Sequence, residues 1–205
     1  HTPGGSSSGS GAAVGDYQVH YAFGTQTGGS QIRPASFNGI YGFKPSWFRV
    51  SREGLRMSSV TLDTVGWYGR SVEDLALVAE AFRIRRDPDP VRIEDLKVGV
   101  CRSPVWRQIE PAGEAALNLA AQRLKDAGAA VFDLDLPDPF ARLDQAQVTI
   151  AAAEGGVSFL PEYVNAPDLL APGLRDKVEN KQQITREQLL DAYTVADACR
   201  PMLDA

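Results

Sequence analysis

The chemistry open to this chain lies in hydroxyls and glycines rather than in histidines or cysteines. Two Gly/Ser clusters stand close together, residues 4–11 (GGSSSGSG) and residues 25–30 (TQTGGS). A serine hydroxyl is a poor nucleophile near neutral pH and must lose its proton as it attacks, so serine chemistry needs a base within reach. Gly5-Ser6-Ser7-Ser8-Gly9 matches the G-x-S-x-G pattern of a nucleophile elbow. Its histidine partner is the difficulty, because the chain has only His1 at its start and His20 inside an apolar run. That reading stays open only if residues outside this sequence complete it. A phosphate-binding P-loop fails, since no lysine precedes Lys44. A dinucleotide fingerprint is a near miss, because Gly9, Gly11 and Gly15 are spaced one residue too widely.

The elements around these clusters read as α/β. A short helix of small residues near 12–14 should feed a strand over 19–23, so that two glycine-rich turns flank one buried strand. His20 is then a structural histidine of that strand. Residues 49–65 read as a polar loop. Ser71 opens a helix with a capping-box pattern to Asp74, and Leu75, Leu77, Val78, Ala81 and Phe82 form its apolar face. Residues 96–101 (LKVGVC), a helix from Pro111 to Gly128 and residues 130–136 make a β-α-β unit with parallel strands. Two more helices are expected over 140–154 and 185–200, the second capped by Thr185 with Gln188. Residues 155–181 fit no simple pattern, and the RRDPDP link at 85–90 is the best candidate for a domain boundary.

Composition removes several classes of function. A net charge of -5 disfavours a phosphate backbone as partner, so nucleic acid is not expected. No apolar run approaches the roughly 18 residues of a membrane span, so no membrane partner is expected either. Cys101 and Cys199 lie far apart and outside any metal-ligand spacing, which leaves no metal site to propose and fits a reducing compartment. The start at His-Thr-Pro-Gly-Gly, without Met or a leader pattern, reads as a window on a longer chain.

Taken together, the two Gly/Ser turns resemble the amidase signature family of serine hydrolases. The resemblance runs through HTPGGSSSGSGAAVG, FGTQTGGSQIRPASFNGIYGFKPS, SREGL, LDTVG and RSVEDLALVAEAF, and more loosely through the LKVGV strand and GAAVFDLDLP. It implies the amidase-signature fold, a mixed twisted sheet surrounded by helices. Residues 1–205 would form part of a single such domain, with a lysine-bearing N-terminal segment and a C-terminal segment lying outside this sequence. It further implies a cytoplasmic enzyme without cofactor that cleaves a linear amide through an acyl-serine intermediate, using a Ser-cisSer-Lys triad. Such a fragment alone would be inactive. Homodimers occur in the family, although no interface can be read from this sequence.

Carried over by motif, Ser30 is the nucleophile and Ser6, after a cis Gly5–Ser6 bond, the bridging serine. Ser6 would relay the proton of Ser30 to a lysine kept neutral by burial. Gly28 and Gly29 would let the N–H groups from Thr27 to Ser30 converge on the oxyanion. Ser7 and Thr25 either hydrogen-bond around the catalytic serines or merely stabilise turns. Arg33 stands three residues after Ser30, as in a malonamidase-like subgroup where arginine receives a substrate carboxylate; a structural ion pair is the competing role. Gln26 replaces the aspartate of the common DTGGS pattern, which fits a small or anionic amide. Trp67 stands where proline usually follows LDTVG. Lys44, in GFKPS, is not the family's base by position. The alternatives are an amidase-type component of a larger amidotransferase complex, or a catalytically silent scaffold.

Overall fold

Residues 2–84 and 91–204 are described by the structure, a computed structural model; the 85–90 link proposed as a domain boundary lies outside the described residues. The chain divides into two compact units, His1–Arg86 with Ile150–Ile184 and Asp87–Thr149 with Thr185–Ala205.

In the first unit, helix α1 (Ser8–Gly15), strand β1 (Ala22–Gln26), helix α2 (Ile32–Asn38), strands β2 (Tyr41–Phe43) and β3 (Thr64–Gly69) and helix α3 (Val72–Ala81) follow in order. Strand β3 is central, pairing antiparallel with β1 on one side and β2 on the other. Consecutive residues of β3 face opposite sides, so Tyr68 and Trp67 enter different cores. Tyr68 packs with Val14 and Ala35, which fastens α1 and α2 to the sheet. Trp67 packs with Val50 and Val78, stacks on Phe82 at 5.6 Å and donates its indole N–H to the Leu75 carbonyl at 3.0 Å. Burial of two such rings contributes roughly 3 kcal/mol each. Trp67 in the usual proline position is therefore the anchor of α3 on the sheet.

Helix α3 starts as its sequence requires. The Asp74 N–H donates to Ser71 Oγ at 3.1 Å, and the Ser71 N–H donates back to Asp74 Oδ2 at 3.1 Å. Two expectations need correction here. Residues 49–65 are not wholly loop, because β3 begins at Thr64, and the first strand starts at Ala22 rather than Val19. His20 consequently lies outside the strand, exposed, with Nδ1 3.3 Å from Arg70 Nη2.

The second unit carries the β-α-β arrangement. Strands β4 (Lys97–Cys101) and β5 (Ala130–Leu134) pair in parallel, joined through helix α4 (Pro111–Asp126), which starts on proline and ends before Gly128 at φ +100°. Helix α5 (Leu143–Ser158) follows. Its residues 150–158, with helices α6 (Leu160–Asn165) and α7 (Pro172–Val178) in the segment that has no simple sequence pattern, belong to the first unit, and α8 (Arg186–Asp204) belongs to the second. Thr185 and Gln188 cap α8 reciprocally, at 2.8 and 3.2 Å. No helix among the described residues is long and apolar enough to cross a membrane.

Candidate active site

Both Gly/Ser clusters fall in the first unit, at the start of α1 and in the turn between β1 and α2. The Gly5–Ser6 peptide is cis, and the Ser6 side chain is exposed. Ser7 ties its cluster to β1: its Oγ accepts the Thr25 N–H at 3.0 Å and donates to the Thr25 carbonyl at 3.1 Å. The Ser7 N–H donates to the Ser30 carbonyl at 3.4 Å, so the residue after Ser6 bonds directly to the residue proposed as nucleophile. Beneath them, the Tyr68 hydroxyl donates to the same Ser30 carbonyl at 3.3 Å. Burial pushes the Tyr68 hydroxyl above its ordinary pKa, opposed in part by a hydrogen bond with Ser7.

The turn at 27–30 is held from its ends and open in its middle. Thr27 Oγ1 donates to Asp63 Oδ1 at 2.5 Å. Gln26 Oε1 accepts the N–H groups of Gln31 and Ile32 at 2.9 and 3.1 Å, which serves two of the unpaired donors at the start of α2. Among the described residues, the backbone N–H groups of Gly28, Gly29 and Ser30 donate to no protein acceptor. Ser6 Oγ and Ser30 Oγ likewise make no hydrogen bond among the described residues, whereas Ser7 and Ser8 bond to backbone carbonyls.

Arg33 is exposed and lies over this turn. Its Nη1 donates to the Gly5 carbonyl at 3.2 Å, and a Cβ on Gly29 would come within 2.8 Å of its Nη2. The missing side chain of Gly29 is what makes room for the guanidinium. No carboxylate among the described residues forms an ion pair with Arg33. Lys44 donates to the carbonyl of its neighbour Pro45 at 3.1 Å, and burial lowers its pKa; no hydrogen bond joins it to Ser6 or Ser30 among the described residues. A separate concavity of about 820 Å³, lined by Phe43, Leu77, Ile84, Glu73, Glu80 and Arg83, belongs to α3 and not to Ser30. No three His, Cys, Asp or Glu side chains among the described residues gather as a metal site would.

Three residues at the site are given no role by the sequence motifs. Tyr68 and Gln31 are fully buried, Gln31 directly after Ser30, and Asp63 is only 3% exposed. The Asp63 carboxylate accepts from Thr27 across 36 positions of sequence, which no local spacing rule reaches.

The chain matches the sequence model of the Amidase family over residues 1–196. It is 35% identical over 202 residues to a 2-amino-5-chloromuconic acid deaminase of Comamonas testosteroni, covering 96% of this chain and 44% of that protein. It is 38% identical over 150 residues to a glutamyl-tRNA(Gln) amidotransferase component of Latilactobacillus sakei subsp. sakei (strain 23K), covering 66% of this chain and 31% of that protein. A crystal structure of an amidase superposes with a TM-score of 0.85 at 27% identity, over 98% of this chain and 46% of the other. The chain thus spans less than half the length of each.

Proposed function

We propose that this chain, which belongs to the amidase family, carries the nucleophilic part of an enzyme that hydrolyses a linear carbon–nitrogen bond of a small amide through an acyl-Ser30 intermediate. The observation that carries this reading is the open turn at Ser30: three consecutive N–H groups without protein acceptors among the described residues, next to an unbonded hydroxyl. Donors already aimed at the place where negative charge develops need no reorganisation during the reaction.

In the proposed sequence, Ser30 Oγ attacks the amide carbon while its proton passes through the Ser6 hydroxyl to a neutral lysine outside residues 1–205. The N–H groups of the Thr27–Ser30 turn receive the oxyanion. Collapse of the tetrahedral species breaks the C–N bond, and the proton returns by the same route to the departing amine. Water then attacks the acyl-Ser30 carbonyl, which yields the carboxylic acid and restores the serine hydroxyl. Ser7 and Thr25 hold the two loops in register for this relay. Reaction with a fluorophosphonate, followed by peptide mapping, should place the adduct on Ser30. An adduct on any other serine would overturn the assignment.

Arg33 sets the substrate class. An exposed guanidinium without a carboxylate partner among the described residues, fixed over the turn by the Gly5 carbonyl, can take a substrate carboxylate as a bidentate pair. Arg33→Met should raise KM for a carboxylate-bearing amide roughly 10- to 100-fold, the worth of a charge-assisted hydrogen bond. The effect on an uncharged amide should be several times smaller. Parallel KM measurements decide it, and equal changes for the two substrates would remove Arg33 from the binding role.

The second reading is a component of an amidotransferase complex, favoured by the similarity to a protein of that description. Gln26 and the three-residue step from Ser30 to Arg33 depart from the DTGGSIR pattern of that component. A stable heteromeric partner required for activity would decide for it.

A further inference from the structure

We infer that Asp63 is a positioning residue of the amide-cleaving site: acting through the Thr27 hydroxyl, its carboxylate fixes the direction of the N–H groups that receive the oxyanion. The inference rests on the acyl-Ser30 reading above.

Asp63 is 3% exposed and forms no ion pair with Lys, Arg or His among the described residues, so hydrogen bonds alone support its carboxylate. Oδ2 accepts the N–H groups of Ser58 and Ser59 at 2.6 and 3.0 Å. Those two bonds, the Asp63 N–H to the Ser59 carbonyl at 3.0 Å, and Arg52 Nη1 donating to the Val60 and Asp63 carbonyls hold the 58–63 loop. The bond from Thr27 Oγ1 to Oδ1, at 2.5 Å, reaches outside that loop. It leaves the loop and grips the first residue of the nucleophile turn, with the strength of a hydroxyl donating to an anion.

The loop is itself anchored. Glu154 on α5 accepts from Ser59 Oγ, from the Thr61 N–H at 3.0 Å and from Thr61 Oγ1 at 2.7 Å. A continuous chain of hydrogen bonds therefore runs from α5 through Ser59 and Asp63 to Thr27. At the other end of the turn, Gln26 holds the N–H groups of Gln31 and Ile32. With both ends gripped and the middle left open, rotation of the 27–30 peptides is what Asp63 restrains.

The test uses the enzyme that carries this chain, with Thr27→Val, Thr27→Ser, Asp63→Asn and the Thr27→Val/Asp63→Asn pair. The readouts are kcat and KM on an uncharged anilide and the rate of Ser30 phosphonylation by a fluorophosphonate. Thr27→Val should lower kcat and the labelling rate roughly 10- to 100-fold, the scale of a small misplacement of catalytic groups. KM should stay within about twofold, and Thr27→Ser, which keeps the hydroxyl, should recover most of the loss. In the double variant Asp63→Asn should add no more than about twofold to the Thr27→Val loss, because the two residues act through one bond. Additive losses would overturn the inference, and so would rates that Thr27→Val leaves unchanged. Should Asp63→Asn not fold, the Thr27→Val and Thr27→Ser pair decides alone. A wild-type enzyme with no adduct on Ser30 would instead remove the acyl-Ser30 reading, and this inference with it.

Discussion

Replacing Ser30 by alanine is expected to lower kcat roughly 10⁴- to 10⁶-fold and to abolish covalent labelling, the scale seen when a nucleophile that acts as part of a unit is removed. The hydroxyls of the neighbouring serines argue for so large an effect. Ser7 holds both the N–H and the carbonyl of Thr25, and Ser8 donates to the Ser6 carbonyl at 3.4 Å. Neither is free to attack without breaking the junction it maintains. Ser6 is free, but in the proposed relay it moves a proton and does not meet the carbonyl carbon. Ser6→Ala should therefore also be severely impaired, and the Ser6→Ala/Ser30→Ala pair should fall no more than about tenfold below Ser30→Ala alone, since removing a second member of a broken unit costs little more. Steady-state rates and fluorophosphonate labelling of the three variants check this. Retention of more than about one part in a hundred of the rate by Ser30→Ala would exclude it as nucleophile.

The elements legible in the sequence are those whose signals are local. Helix α3 announces itself by Ser71 and Asp74, α4 by Pro111 and Gly128, and α8 by Thr185 and Gln188; each pair sits within or beside the element it bounds. The parallel β4–β5 pair follows from two apolar runs flanking one helix. Strand β3 is hidden because Thr64–Gly69 is central and buried on both faces, so it shows no alternation, and two of its six residues are glycine. Helix α2 is hidden for another reason: seven residues with Pro34 inside have no apolar stripe, and its start is served by Gln26 from the preceding strand. That explains why Gln26 reads in the sequence only as a missing charge. Its capping role needs a helix that composition does not reveal. The serine positions come from the family resemblance. Asp63 lies in plain view within LDTVG, yet its bond to Thr27 exists only once β1 and β3 pair, with Gln26 opposite Thr64.

The same pairing leads to the largest expected effect on stability. Gly24 and Gly66 face each other across β1 and β3, and the Gln31 side chain, fully buried, fills the slot their missing side chains leave. Neither amide atom of Gln31 finds a hydrogen-bond partner among the described residues. A Cβ on Gly66 would come within 2.3 Å of the Phe43 carbonyl oxygen and 3.0 Å of Gln31 Cγ and Cδ. The first of these is backbone of the paired strand β2, which no rotamer change can move away. Gly66→Ala should therefore cost about 3 kcal/mol or more, at the upper end of overpacking penalties. Gly9→Ala supplies the contrast, since a Cβ there meets nothing within 4 Å and the change should stay within about 0.5 kcal/mol. Thermal melts of the two variants side by side check the argument, and an unchanged Tm for Gly66→Ala would refute it. Because the displaced Gln31 is covalently next to Ser30, the clash would also reach the 27–30 turn proposed to carry the nucleophile. The glycines of β1 and β3 thus support the proposed site as much as the sheet.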